Sequence, residues 1–349
     1  MPKIAIIGAG VSGLAAAFQL AEEEVEVRIF EKSRGFSGRA ASRSKNGCRY
    51  DYGANYFKVN CNEVASLLFR DLPTDDLCRI VGDVSIFNVD NEIGEGDPAL
   101  NAGAKWTYRS GISNLGKLMV EVGKLNVKRE TLITKLEDDD NSWTLIDESL
   151  QSHRGFDAVL ITPPAPQTTN LLKQSEIDSD LVDLLTGELA QSNYHSQFCV
   201  ALNYPGQIQF PGQAYALINT DRQHALAWLS HENQKAGHVP EGETLLIAQM
   251  APDWTQDHYH EEREEIIRLA HEAVDSLLPQ ELPALRWADT QRWRYAHPHS
   301  AASLEAMRPG AELGLFFAGD AFIGKGRLAR AIETGFAAAN QIGQFLGVR

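Results

Sequence analysis

Positive charge is in short supply. The chain has 32 Lys and Arg against 47 Asp and Glu, a formal net charge of −15 over 349 residues. A surface built to neutralise nucleic-acid phosphates or anionic lipid would carry the opposite sign, so both partner classes are set aside. Cysteine is scarce as well. Cys48, Cys61, Cys78 and Cys199 form no CxxC pair and are too scattered for a zinc site. That usage fits a reducing compartment better than a disulfide framework, and a cytoplasmic location is expected. No run has the length and apolarity of a membrane-spanning helix. The apolar N-terminus has only Lys3 as a charged leader, and a glycine fingerprint runs through it, so it is not read as a signal peptide. His258-x-His260 and His297-x-His299 lack helix-face spacing and a completing Cys or carboxylate set, so no metal is expected. Gly111-Ile112-Ser113 lacks the flanks of a G-x-S-x-G elbow, which removes a serine hydrolase.

What is there is apolar. Hydrophobic residues make up 43%, enough for a substantial core in two domains or one large interleaved one. The chain is organised around Lys3 to Glu31. Ile4–Ile7 reads as a strand buried on both faces, followed at once by Gly8-x-Gly10-x-x-Gly13. A helix from Ser12 to Ala21 and a second strand from Val25 to Phe30 come next, ending in Glu31. Gly8 permits the tight turn, Gly10 lets backbone approach a pyrophosphate, and Gly13 lets helix pack close on strand. The helix N-terminus offers free N–H groups to phosphate, and Glu31 stands where a carboxylate accepts ribose hydroxyls. Strand, glycines, helix, strand and acid in this order predict a dinucleotide site, without separating NAD from FAD.

The next segment, KSRGFSGRAASR, carries Gly38 and Arg39. On composition alone Arg39 is either part of a solvated basic loop or a partner for a pyrophosphate or flavin. Then comes Asp51-Tyr52-Gly53-Ala54-Asn55-Tyr56-Phe57. Glu31, Gly38-Arg39 and this D-x-G-A-x-Y-F segment together resemble the flavin-containing amine oxidase superfamily. The resemblance implies that Gly38-Arg39 lines the pyrophosphate and that the Asp51 segment runs beside the isoalloxazine ring. Gly53 and Ala54 suit a flat ring that needs backbone close by. The chain from 60 to 104 reads as an excursion, with helix from Val64 to Phe69, strand from Val84 to Val89 and loop from Glu92 to Ala104. Ser113 to Gly123 reads as a helix with Ser113 as N-cap. Asn126–Leu136 reads as a strand or strand pair, Glu137–Asn141 as a charged hairpin tip and Trp143–Ile146 as its return. By resemblance, the backbone of Ile133 holds the adenine edge. Phe156–Ile161 reads as a strand that must leave its sheet at Thr162-Pro163-Pro164.

Strands are expected at Gln197–Leu202, Ala214–Ile218, Ala225–Leu229 and Thr244–Met250, with an amphipathic helix from Glu261 to Leu278. The segments 227–235, 252–255 and 291–298 resemble bacterial renalase-type proteins, a branch of that superfamily. Near the C-terminus, the Leu315–Ala318 strand runs into Gly319-Asp320 and then a helix from about Arg330 to Phe345. The resemblance implies that Gly319-Asp320 meets the ribityl and phosphate end of FAD. It also aims the helix start at the flavin's pyrimidine edge, where reduced flavin is anionic. Relatives carry Glu-Gly where this chain has Ala329-Arg330. Lys325, Arg327 and Arg330 form a basic cluster, expected either to be solvated or to bind the flavin anion or a substrate phosphate.

The fold expected is α/β: an FAD-binding Rossmann-like domain of glutathione-reductase and amine-oxidase type, with a second α+β substrate domain on an antiparallel sheet. Residues 1–59, 105–165 and 286–349 are assigned to the first, 60–104 and 166–285 to the second. FAD contacts are expected at Gly8, Gly10, Val11, Ser12, Gly13, Glu31, Lys32, Gly38, Arg39, Gly53, Ala54, Asn55, Tyr56, Ile133, Thr162, Gly319, Asp320, Arg327, Arg330, Ala331 and Ile332. With no cysteine near the C-terminal flavin segment, noncovalent FAD is expected. Asn55, Tyr56, Trp228 and Tyr295 are the candidate substrate-pocket residues. The branch resemblance implies oxidation of dihydro-isomers of NAD(P)H by hydride transfer to flavin N5, with O2 as acceptor giving H2O2. The alternatives are a flavin amine oxidase, for which no lysine counterpart is evident in the sequence, and a flavin-binding protein without turnover.

Overall fold

The computed structural model describes residues 1–59, 61–139 and 142–348. Its centre is a parallel five-stranded sheet in the spatial order Leu315–Phe317, Ala158–Ile161, Lys3–Ile7, Glu26–Phe30, Asn126–Lys128. Alternation explains the apolar run at its middle. Ile4 and Ile6 point to a core shared with the helices Val11–Leu20 and Leu328–Leu346. Ala5 and Ile7 point to a second core under the antiparallel strands Ile133–Asp138, Trp143–Asp147 and Ser152–Phe156. A strand covered on both faces has to read as continuously hydrophobic.

The two helices touch through small residues. A Cβ added to Gly335 would overlap the Ser12 carbonyl, and Ala15 and Ala16 lie against the same spot. The C-terminal helix is thereby pressed onto the N-terminal one, which brings both ends of the chain to the glycine turn.

The second half is a seven-stranded sheet in the order Trp287–Pro298, Tyr194–Pro205, Glu243–Met250, Leu226–His231, Ala216–Asn219, Val84–Phe87, Ile93–Gly94. All pairings are antiparallel except Ala216–Asn219 with Val84–Phe87. One face is covered by the helix Arg263–Leu277 through Ile266, Ala270, Val274 and Leu277. Register puts Ile218, Trp228, Gln249, Cys199 and Gln291 side by side on neighbouring strands. Trp287–Pro298, assigned from sequence to the nucleotide region, is an edge strand of this sheet.

Three local readings need correction, and a fourth falls partly on residues that are not described. Phe156–Ile161 is two strands in different sheets, because Asp157 turns to bond the Lys3 amide through Oδ2 at 2.7 Å and donates its own amide to the Lys3 carbonyl. The stretch expected as loop from Glu92 to Ala104 contains strand Ile93–Gly94 and helix Pro98–Asn101, the latter capped by the Asp97 side chain. The tip of the expected hairpin at Asp140 and Asn141 lies outside the described residues. Ser113 occupies the N-cap position of helix Asn114–Val122, but its side chain makes no cap. Ser37 does that work from a distance: its Oγ accepts the Gly116 amide at 3.0 Å and donates to the Ser113 carbonyl at 2.9 Å. Ser37→Ala is expected to cost about 1 kcal/mol in urea unfolding, the ordinary value of a lost cap.

His231 gives a pH-dependent stability. It is 7% exposed, stacks on Phe210 at 5.2 Å and has no partner on either ring nitrogen. Burial pushes its pKa down to about 4, only partly opposed by Glu232. The unfolded chain therefore binds a proton that the folded one refuses, and stability falls as pH drops from 6.5 towards 4. The loss should approach about 3 kcal/mol, and His231→Phe should flatten that part of the stability–pH curve.

Candidate active site

The glycine turn has the geometry its spacing implied. Gly8 has φ +103°, and a Cβ there would lie 2.5 Å from Thr162 Oγ1. That hydroxyl is fixed by donating to the Ile7 carbonyl at 2.8 Å. A Cβ on Gly13 would overlap the Gly8 carbonyl. Gly10 differs: a Cβ there meets nothing within 4 Å, which is the open approach a pyrophosphate needs. Gly38, at φ +57°, closes on the Gly10 Cα. Gly319, at φ +122°, lies beside Thr162 and Ser12, and its amide donates to Thr334 Oγ1 at 3.0 Å. Glu31 is buried and accepts the amides of Ala9 and Ser33, both at 2.8 Å, which leaves its remaining lone pairs for ribose hydroxyls. The cradle therefore fits the adenine-dinucleotide half of FAD.

Arg39 is no solvated loop residue. Its guanidinium bonds Asp320 Oδ1 at 2.7 Å and the carbonyls of Tyr295 and Ala296 at 3.3 and 3.2 Å. Tyr194 donates to the same Asp320 oxygen at 2.9 Å. Burial works against the Arg39 charge, but Asp320 outweighs it and raises the guanidinium pKa. Asp320 thus joins the Gly38-Arg39 turn to the Gly319 turn.

The substrate candidates separate. Tyr56 and Trp228 come together with Tyr215, the three ring centroids lying 6.0–6.1 Å apart. Tyr215 donates to the Asn55 carbonyl at 3.4 Å. Asn55 Oδ1 and Trp228 Nε1 are buried without a partner, as an acceptor and a donor waiting for a ligand would be. Tyr295 instead packs on Tyr194 at 5.9 Å and gives its carbonyl to Arg39. Gln249, which carried no sequence signal, pins the Gly53 carbonyl at 2.9 Å.

The side chains of several expected cofactor contacts have partners within the protein, although Ile133 is expected to contribute its backbone alone. Lys32 bonds Gln167 at 3.3 Å. The side chains of Ile133 and Ile332 lie in the cores, with Ala331 buried beside Ile332. Val11 is half-buried and packs against the first core. Arg330 is exposed and bonds Glu333 at 2.7 Å, so it turns away from the helix start and leaves the basic cluster. Arg327 is exposed but close enough to act electrostatically on Tyr56 and Lys58. Lys58 is held below the usual lysine range by partial burial, then by Lys105 and Arg327.

A lysine that sequence reasoning did not find is also present. Lys235 Nζ, fully buried, bonds Asp51 Oδ2 at 2.8 Å and Glu232 Oε1 at 2.9 Å. Asp51, Glu232 and His238 could converge on a metal ion, but the Lys235 ammonium lies between the two carboxylates. His297 and His299 flank His195, with ring centroids 5.3 and 4.3 Å away.

Residues 83–343 match the family described as flavin containing amine oxidoreductase, and residues 6–72 match an NAD(P)-binding Rossmann-like domain. The chain belongs to the flavin containing amine oxidoreductase family. As a member of it, the protein is an FAD-dependent oxidoreductase with an FAD-binding fold, and the reading without turnover is overturned. Similar solved structures include a putative protoporphyrinogen oxidase from Exiguobacterium sp. 255-15, at TM-score 0.78, 15% identity and 98% of this chain against 99% of that one. Another is cyclohexylamine oxidase from Brevibacterium oxydans IH-35A, at 0.77 and 13%, covering 99% of each chain. At these identities the likeness is one of fold. Protoporphyrinogen oxidase 2 of Arabidopsis thaliana is 42% identical over 66 residues, which span 19% of this chain and 13% of that protein. No described helix of this flavin oxidoreductase is long and apolar enough to cross a membrane.

Proposed function

We propose that the protein is a flavin amine oxidase acting on a small amine, with noncovalent FAD and O2 as the acceptor that yields H2O2. The observation that carries this reading is the aromatic wall of Tyr56, Tyr215 and Trp228, at the end of the segment that holds Gly53 and Ala54. The family and the fold of cyclohexylamine oxidase point the same way. FAD supplies a hydride acceptor; the chain's own residues bind, orient and exclude water. Burial raises the hydroxyl pKa values of Tyr56 and Tyr215, so neither is poised to take a proton at neutral pH. The amine must then arrive neutral, and the rate of flavin reduction should rise with pH towards the pKa of the amine itself.

A second reading, oxidation of dihydro-isomers of NAD(P)H in a renalase-like manner, is favoured by a different observation. Arg327 places positive charge near Tyr56, where a nucleotide's phosphates would be welcome and a cationic amine would not. Anaerobic stopped-flow mixing with a panel of amines, the 2- and 6-dihydro isomers and ordinary NADH separates the two. Fast bleaching of the flavin by amines alone supports the first reading; fast bleaching by the isomers alone replaces it with the second. Acid precipitation should leave all of the yellow colour in the supernatant if FAD is noncovalent.

A further inference from the structure

The buried ion cluster joins the two halves of the molecule. Asp51 ends the strand Cys48–Asp51 and leads into Gly53–Tyr56. Glu232 and Lys235 follow the substrate-sheet strand Leu226–His231. The side chains of Asp51, Glu232, Lys235 and His238 are all 0% exposed. Isolated charges at such depth would cost several kcal/mol each, so the set persists only because every member is met. Asp51 accepts from Ser42 at 2.6 Å, the Ile112 amide at 2.8 Å and Thr107 at 3.3 Å, besides Lys235. Glu232 accepts from His238 at 2.9 Å, and the other His238 nitrogen faces the Tyr108 carbonyl at 3.0 Å.

From the lysine two arms reach the site. One is Asp51 itself, two residues before Gly53. The other is Tyr215, whose ring centroid lies 5.7 Å from the ammonium. Its hydroxyl holds the Asn55 carbonyl, and its ring packs on Tyr56 and Trp228. We propose that Lys235 is a positioning residue: held between Asp51 and Glu232 and against Tyr215, it fixes the turn Gly53–Tyr56 against the aromatic wall of the substrate pocket. The proposal rests on the reading that Gly53–Tyr56 lines the flavin, but not on which donor is oxidised.

Isosteric variants of the two carboxylates test it. Both meet the same ammonium and both are fully buried; Asp51 also accepts from Ser42, Thr107 and the Ile112 amide, whereas Glu232 Oε2 accepts from His238 and, at 3.4 Å, from the Asp51 amide, and its Oε1 meets the ammonium alone. An amide therefore misplaces one NH2 group in either, and a merely structural role predicts effects in step with the loss of thermal midpoint. In the FAD-loaded protein, Asp51→Asn should release FAD at least ten-fold faster than wild type and alter the visible circular dichroism of the bound flavin. Glu232→Gln should stay within two-fold on release and keep the flavin spectrum, at a similar loss of thermal midpoint. Equal changes in both variants, or none in either, would overturn the assignment. If either variant yields no folded holoprotein, Tyr215→Phe decides, because it removes one hydroxyl and no charge. It should alter the flavin signal with the thermal midpoint kept, and an unchanged signal would sink the idea. Tyr56→Ala separates the proposal from the reading beneath it. A changed flavin spectrum there, with Asp51→Asn silent, removes the positioning role alone. Silence in both removes the flavin-lining turn as well.

Discussion

Lys235→Met should lower the unfolding free energy by about 3–5 kcal/mol, the cost of leaving buried charges without their partner. Methionine fills most of the volume but offers no proton, so Asp51 and Glu232 would face each other across a site with no access to water. At ordinary entropy values for a chain of this length that loss corresponds to roughly 5 °C in the thermal midpoint. The sign of the pH effect follows from Asp51. Burial drives its pKa up, but Lys235 and then His238 outweigh it, and the net shift is downward from 3.8. A carboxylate with a depressed folded pKa contributes stability that is present above its unfolded pKa and lost as pH falls through the folded one. Without Lys235 the burial effect wins, and Asp51 takes a proton at higher pH. The gap between variant and wild type should therefore narrow from pH 7 to pH 5. Thermal melts at the two values check this, and a gap under 1 kcal/mol at pH 7 would contradict it.

The second large effect concerns the glycine turn, where two positions should behave in opposite ways. Gly13→Val is expected to abolish retention of FAD and to destabilise the fold, because its Cβ would overlap the Gly8 carbonyl. The neighbour is backbone and cannot swing aside; Ile6 and Thr162 at 3.2 and 3.3 Å close the remaining space. Gly10→Ala should leave the protein without FAD as stable as wild type, or more stable by about 0.4–1 kcal/mol through a less free unfolded chain. Gly10 has an ordinary φ of −72°, and its Cβ would meet no protein atom. The same methyl stands where the pyrophosphate must come, so FAD affinity should fall ten-fold or more. Urea unfolding and FAD titration, run side by side, separate the two. A stability loss in Gly10→Ala comparable to that in Gly13→Val would mean that the turn is a packing feature and no ligand cradle.

Much of this was legible in one dimension. Gly8, Gly10, Gly13 and Glu31 serve chemistry that needs fixed sequence spacing, because turn, helix start and second strand are consecutive in the chain. Tyr56 and Trp228, 172 positions apart by their numbers, were named only because a resemblance linked their segments. Tyr215 and Gln249 were missed, because an isolated tyrosine or glutamine on an expected strand reads as any other strand residue. Their role appears only when cross-strand register sets Gln249 beside Trp228 and contact sets Tyr215 against Tyr56. Tyr295 shows the converse: its strand is at the sheet edge, and what the fold brings to Arg39 is its backbone carbonyl, a contact no side-chain pattern announces.

By itself, the sequence determined the dinucleotide fingerprint and the two-part α/β architecture, since each is written in local pattern: glycine spacing, apolar runs and turn residues; the flavin family entered only through a resemblance of whole segments. Only the tertiary structure decided that Arg39 pairs with Asp320, that Ser37 caps a helix 77 residues away by number, and that Lys235 sits sealed between two acids. These are contacts between charged or polar groups distant in the chain. Burial makes them obligatory, because a polar group removed from water must find a partner, and which partner it finds is set by packing.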